Sequence, residues 1–282
     1  MKRIFLLLNI LLAGALATSA QVTYKFKTVD FPGSSFNRAH NINRLGDIVG
    51  LFRFPTGGGH GYLRHDGVFQ QIDYPGATFT STRGINSSLQ IVGGYVDVNN
   101  VDHAFLLVNG QFTSFDVPGA TSTDAFDIND SGEIVGVYID IAGVQHGFVL
   151  NNGVFSTLDF PRAATTDVSG VNDFGVVAGT ATSKTNVSKG FLWSQGTFQV
   201  FKFPLATGTF LGDVNDAGEL CGFYTETTGV THGFTHDSSG YKRLDFPNST
   251  LTFALGINKR GKIVGEYMDT NGVAHGFLAV PQ

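Results

Sequence analysis

The chain has 282 residues, with 37 glycines and 26 phenylalanines but only 15% charged residues. A disordered chain would invert that balance, with few aromatics and much charge. The formal net charge of −5 argues against a nucleic-acid partner, because phosphate binding draws on counterion release by a basic surface.

In chain order, the first element is a leader. Lys2 and Arg3 precede an apolar run from Ile4 to about Leu16, followed by the small residues Ala17, Thr18, Ser19 and Ala20. A charged start, an apolar core and a small-residue end make an export signal cut after Ala20 or Ala17. The run is short for the ~20 residues of a membrane span. The mature chain is therefore expected outside the cytoplasm, extracellular or periplasmic, with no membrane insertion. Cleavage removes two cations and no acid, so the mature chain is more acidic still. Residues 21–282 read as one domain.

From Tyr24 onward the chain repeats. Pro32, Pro75, Pro118, Pro161, Pro204 and Pro247 recur at 43 residues, as do Asn43, Asn86, Asn129, Asn172, Asn215 and Asn258. Gly50, Gly93, Gly136, Gly179, Gly222 and Gly265 keep the same spacing. Six units without an insertion exclude chance periodicity.

The third unit shows the content of each. Thr121 to Asn129 is a predicted strand, and Asn129-Asp130-Ser131-Gly132 is a turn. Glu133 to Asp140 is β-branched and aromatic, hence a second strand. Ile141-Ala142-Gly143 turns the chain into a third, His146 to Leu150. Asn151-Asn152-Gly153 turns it into a fourth, Val154 to Asp159, and Pro161 prevents its continuation. These strands are called A to D. Four antiparallel strands in 43 residues match one blade of a β-propeller.

The ends support the same reading. Tyr24 to Asp30 is a lone D strand, while the sixth unit stops at its C strand, His275 to Leu278. The expected fold is all-β, a six-bladed β-propeller of four-stranded antiparallel blades, closed by the N-terminal strand completing the last blade. Closure removes sheet edges that would template aggregation. Two places depart most from the six-fold pattern. Blade 4 lacks several recurring residues, and blade 1 has an altered B–C loop at Phe54-Pro55-Thr56-Gly57-Gly58-Gly59.

The recurring unit, including the tripeptide His103-Ala104-Phe105 and its counterparts such as His146-Gly147-Phe148 and His275-Gly276-Phe277, resembles the extracellular HAF-repeat family. The resemblance spans the mature chain and implies export and a propeller-like fold. It implies no activity and assigns no catalytic residue.

An acid–His–acid row recurs at one end of the blades. It comprises Asp97, His103 and Asp116 in blade 2, Asp140, His146 and Asp159 in blade 3, and Glu226, His232 and Asp245 in blade 5. Blade 6 combines Asp269 and His275 with Asp30 across the closure. Blade 4 loses all three together, becoming Ser183, Lys189 and Lys202. Such sets suit metal ligands or acid–base pairs, but a catalytic device is rarely needed four times around one ring. The rows are expected to be structural, with carboxylates holding the imidazole, and no metal or other cofactor is assigned.

Asp127 to Glu133 resembles a Ca²⁺ loop but lacks the closing acid twelve residues from its start, so it reads as an A–B turn. Cys221 stands where other units hold Val or Ala and is expected to be a buried small hydrophobe. Trp193 is expected in the core.

Where the units differ, they are free to specialise. One variable column in strand A holds Arg38, Ser81, Asp124, Asp167, Phe210 and Phe253. A second holds His40, Arg83, Phe126, Ser169, Gly212 and Leu255. With strand A innermost, these columns should ring one mouth of the central channel. Arg38, His40, Arg83, Asp124, Phe126, Asp167, Phe210 and Phe253 are the candidate binding residues. Carboxylates beside aromatic faces suit a glycan or a peptide, bound by a monomer without catalysis. The alternatives are a carbohydrate-active hydrolase or lyase using the mouth carboxylates, and a purely structural surface protein.

Overall fold

The computed structural model describes residues 23–282, so the expected leader lies outside the described residues. Those residues hold 24 strands and form an all-β propeller of four-stranded antiparallel blades. In blade 3, strands A (Ser122–Ile128), B (Ile134–Ile139), C (Gln145–Asn151) and D (Val154–Leu158) pair in chain order. Blades 4 and 5 repeat that order as separate sheets. The N-terminal strand, Tyr24–Thr28, pairs antiparallel with the last strand, Ala274–Pro281, and completes the sheet of blade 6.

Blades 1 and 2 are joined into one sheet by a single parallel bridge between Gly59 and Phe79. That bridge explains the altered segment of blade 1. A Cβ on Gly59 would lie 2.0 Å from the Phe79 ring, so only glycine admits the approach. Strand C of blade 1 accordingly begins early, at Gly57, and Phe54 pairs with Gly57 across a tight turn.

The 43-residue glycine column has a steric cause. A Cβ on Gly136 would lie 2.2 Å from the carbonyl oxygen of Asp124 in strand A and 2.9 Å from the ring of Phe148 in strand C. Strand B thus leaves room for an aromatic side chain from strand C. Tyr62, Phe105, Phe148, Phe191, Phe234 and Phe277 occupy this place in the six repeats and are fully buried. Each such burial contributes about 1.5–3 kcal/mol. Cys221 lies in the same core, also fully buried, and Trp193 packs half-buried against the core of blade 4.

The asparagine column links each blade to the next at one end. Asn129 Oδ1 accepts the backbone N–H groups of Ser131 and Glu133, capping the A–B turn, in which Gly132 takes φ +83°. Its Nδ2 donates to the carbonyl of Asn172, 3.0 Å away in the next blade. The same bond runs from Asn43 to Asn86, Asn86 to Asn129, Asn172 to Asn215 and Asn215 to Asn258. Asn258 then donates to Asn43 at 3.0 Å.

Strand A carries a β-bulge in every blade. The register slips between Ala39 and Asn41, Thr82 and Gly84, Ala125 and Asp127, Val168 and Gly170, Leu211 and Asp213, and Ala254 and Gly256. The unpaired residues are therefore His40, Arg83, Phe126, Ser169, Gly212 and Leu255. A bulge re-aims the side chain it carries. Here it turns the second variable column into the channel.

Candidate functional site

All six bulge residues line one cavity of about 330 Å³ at the mouth of the channel, with Arg38, Asp167 and Phe210 from the first variable column. Of the eight candidate binding residues, six meet there. Asp124 and Phe253 stand one layer behind, Asp124 bound to Arg83 and Phe253 packed on Phe223. Strand A starts, strand B ends and strand C starts at this mouth, which explains why residues far apart in sequence converge.

One side of the mouth is aromatic. The rings of Phe210 and Phe223 stack with centroids 4.7 Å apart, and Phe253 meets Phe223 edge-on at 4.8 Å. Phe223 lies in strand B, opposite Phe210 in the register. Its column reads Leu51, Gly94, Val137, Thr180, Phe223 and Glu266. That column varies as much as the two in strand A and carries the same signal, although it lies outside the predicted set.

The other side is polar. Glu266 ion-pairs with Arg38. Arg83 Nη2 lies 2.7 Å from Asp124 Oδ2, with its guanidinium 4.5 Å from the centre of the Phe126 ring, a favourable cation–π distance. Asp124 fits because blade 2 has Gly94 beside it, where a Cβ would come within 2.4 Å of Oδ1. Burial raises the Asp124 carboxyl above its ordinary value, and it pushes that of Asp167 up to about 6. His40 donates from Nδ1 to the carbonyl of Thr82 at 2.8 Å. Burial, then Arg83 and Arg38, hold it well below the usual histidine range, so its ring is neutral.

Three buried polar atoms on this side have no protein partner. They are Ser81 Oγ, Arg83 Nε and Asp124 Oδ1. Ser81, only 1% exposed, pairs across strands with the same Gly94.

Below the mouth the channel narrows to a polar throat. Asn41, Asp127 and Asp213 stand in blades 1, 3 and 5, and Gly84, Gly170 and Gly256 hold the corresponding positions between them. Asp127 accepts from Asn41 Nδ2 at 2.9 Å, from its neighbour Ile128 N–H and from Val171 N–H of the next blade. Asp213 does the same with the N–H groups of Val214 and Ile257. Desolvation by burial raises the Asp127 carboxyl to about 7 and that of Asp213 well above its ordinary value.

At the opposite rim a cavity of only about 70 Å³ remains. Lys259 Nζ is held between Asp173, at 2.5 Å, and Asp216, at 2.8 Å, with Asp130 at 4.0 Å. The resemblance of Asp127 to Glu133 to an ion loop thus separates into unrelated roles. Asp127 lines the throat, Asp130 joins the rim, and Glu133 accepts from Asn129.

The acid–His–acid rows assemble around the outside of the upper face. His103 Nδ1 lies 2.8 Å from Asp116, with Asp97 at 3.8 Å on the other side. His146 stands 2.9 Å from Asp159 and 3.4 Å from Asp140. His232 has Asp245 at 3.0 Å and Glu226 at 3.4 Å, and His275 has Asp30 at 2.7 Å and Asp269 at 3.7 Å. The B-strand aspartates also cap the B–C turn. Asp140 Oδ1, for example, accepts from the N–H groups of Ala142 and Val144. Each imidazole packs on a strand B tyrosine, as His146 does on Tyr138 at 5.0 Å.

Blade 4 has Ala181 in place of that tyrosine, and Lys189 sets its ammonium 4.5 Å from the centre of the Phe160 ring instead. The joint loss of the row therefore follows the loss of the aromatic floor beneath it. Among the described residues no group of three or more His, Cys, Asp or Glu side chains is placed to hold a metal ion.

No protein-family model matches the sequence, and no curated protein matches it. Solved structures do share its fold. The lectin AofleA from Arthrobotrys oligospora aligns with a TM-score of 0.59 at 10% identity, over 95% of this chain and 90% of its own. The SapL1 lectin in complex with α-methyl fucoside aligns at 0.57 and 10% identity, over 88% and 96%. A mutant of the Aleuria aurantia lectin in complex with Fucα1-6GlcNAc aligns at 0.55 and 10% identity, over 87% and 93%. The Aleuria lectin is a six-bladed β-propeller. At such identity the likeness shows the fold alone.

Proposed function

We propose that this chain is an exported, closed six-bladed propeller that binds a glycan at the upper mouth of its channel and performs no chemistry on it. Closure is supported by the pairing of Tyr24–Thr28 with Ala274–Pro281 and by the bond from Asn258 back to Asn43. Export rests on the leader pattern, and no helix among the described residues is long and apolar enough to cross a membrane. The observation that carries the glycan reading is the division of one cavity into an aromatic wall and a polar wall. Sugars present apolar C–H faces and hydroxyl edges, and a cavity of this size lies within the ~300–1,000 Å³ of ligand sites. The lectin complexes with fucosides lend support at the level of fold.

A glycan array followed by titration calorimetry on residues 21–282 tests the reading. We expect array ligands whose affinity falls at least ~10-fold, about 1.4 kcal/mol, in the Phe210→Ala/Phe223→Ala variant. An empty array, or ligands that bind both proteins equally, would sink it.

A second reading, hydrolysis of the bound glycan, is favoured by Asp167 alone. A carboxyl near 6 is suited to general-acid work. Retaining and inverting hydrolases also need a second carboxylate across the bond, and Asp124 is engaged by Arg83. Appearance of new reducing ends from an array ligand would select hydrolysis over binding.

A further inference from the structure

Resting on the glycan reading, we infer that the mouth is built for a sugar bearing a protonated primary amine, a hexosamine without its N-acetyl group, held between Asp167 and the aromatic wall. The titratable groups lining the cavity are Arg38, Arg83, His40 and Asp167; Glu266 and Asp124 stand behind them, and Asp127 and Asp213 lie in the throat below. Arg38 is paired with Glu266, and Arg83 with Asp124. His40 is neutral and bonded to the Thr82 carbonyl. Asp127 and Asp213 accept backbone N–H groups.

Asp167 differs from all of these. Among the described residues, no cation lies within ion-pair distance of it, and its neighbours in the wall include the neutral Thr165, Thr180 and Gln145. Arg83 acts on it only at longer range, and Gln145 lines the cavity with it. A carboxylate withdrawn from water without a counter-ion lacks a cation. Phe210 occupies the same column in the next blade and is stacked on Phe223. An ammonium placed between a carboxylate and ring faces gains both ion pairing and cation–π attraction.

The polar wall decides between sources of that amine. Gln145, Thr165, Ser169 and Thr180 line the cavity together with Asp167, and sugar hydroxyls supply both donors and acceptors to such amide and hydroxyl groups. A lysine side chain would bring the charge but none of those groups. An acidic sugar would meet Asp167 with like charge, and N-acetylation would remove the cation.

The test is calorimetry on residues 21–282 with glucosamine disaccharide, its N,N′-diacetylated counterpart, cellobiose and a lysine-containing tripeptide. The fully amine-bearing sugar should bind at least ~10-fold more tightly than the acetylated one. In Asp167→Asn, whose folding is checked by chemical denaturation, the preference for the amine-bearing sugar over the acetylated one should shrink to about twofold. For wild type the preference should grow between pH 5 and 6.5 as Asp167 ionises. If acetylated or neutral sugars bind as well as the amine, or the tripeptide binds more tightly, the amine inference fails and the glycan reading survives. If no sugar binds here and the array is also empty, both fail together.

Discussion

The two ends of the channel are built from the same strands and behave oppositely. At the lower end the asparagines satisfy one another around the ring, and Lys259 is held among three aspartates. At the upper end, buried oxygen and nitrogen atoms of Ser81, Arg83 and Asp124 lack partners, and about 330 Å³ stays open. The asparagine column repeats because each side chain bonds to the backbone of its own copy in the next blade, whereas the adjoining rim column of Arg44, Ser87, Asp130, Asp173, Asp216 and Lys259 diverges. The upper columns have no such reciprocal bond, and each position is free to differ. The identical asparagine column is therefore scaffold, and the divergent upper columns surround the open cavity.

This contrast makes the strongest prediction a loss of stability without a loss of binding. Asn129→Ala removes the cap on two turn N–H groups and the bond to Asn172. At ~1–3 kcal/mol for each buried group left unsatisfied, the cost should be about 3 kcal/mol by chemical denaturation. Affinity for an array ligand should stay within twofold. A tenfold loss of affinity would break the distinction between the two ends.

The throat between them should titrate. Burial raises Asp127 from 3.8 to about 7, so its folded form holds a proton more tightly than its unfolded form. Stability from this group is full below about pH 4 and is lost as the pH climbs through 7. The advantage of wild type over Asp127→Asn in thermal unfolding should therefore shrink from pH 4 to pH 7. A growing advantage would mean that the backbone donors from Ile128 and Val171, not desolvation, govern the group.

The smallest effect is expected at the lower rim. Lys259 is 36% exposed and its ion pairs face solvent, where such pairs contribute at most about 1 kcal/mol and are screened by salt. Lys259→Met should cost no more than that, and less at high ionic strength. A larger cost would make the rim part of the scaffold.

Much of this molecule is legible in its repeats. The spacing of Gly136 and its counterparts anticipates the blade, because strand B must clear the strand A carbonyl and the strand C aromatic. Asn129 and Gly132 mark the A–B turn for the same kind of local reason. Phe223 was open to the same inspection, since its column diverges too, yet attention to strand A alone passes over it. Blade 4 was legible only as a gap; that Lys189 replaces an imidazole by resting on Phe160 depends on the absence of a tyrosine eight residues earlier in the chain.

The repeated sequence by itself determined the blades, their number of strands and the columns in which they differ, because those follow from local sterics and turn chemistry that recur every 43 residues. Only the tertiary structure decided which divergent residues share a cavity. Each bulge in strand A inserts an extra residue opposite strand B, and that mismatch exists only between paired strands. It turns His40, Arg83, Phe126 and their counterparts inward, and the convergence of the blades brings them together at one mouth.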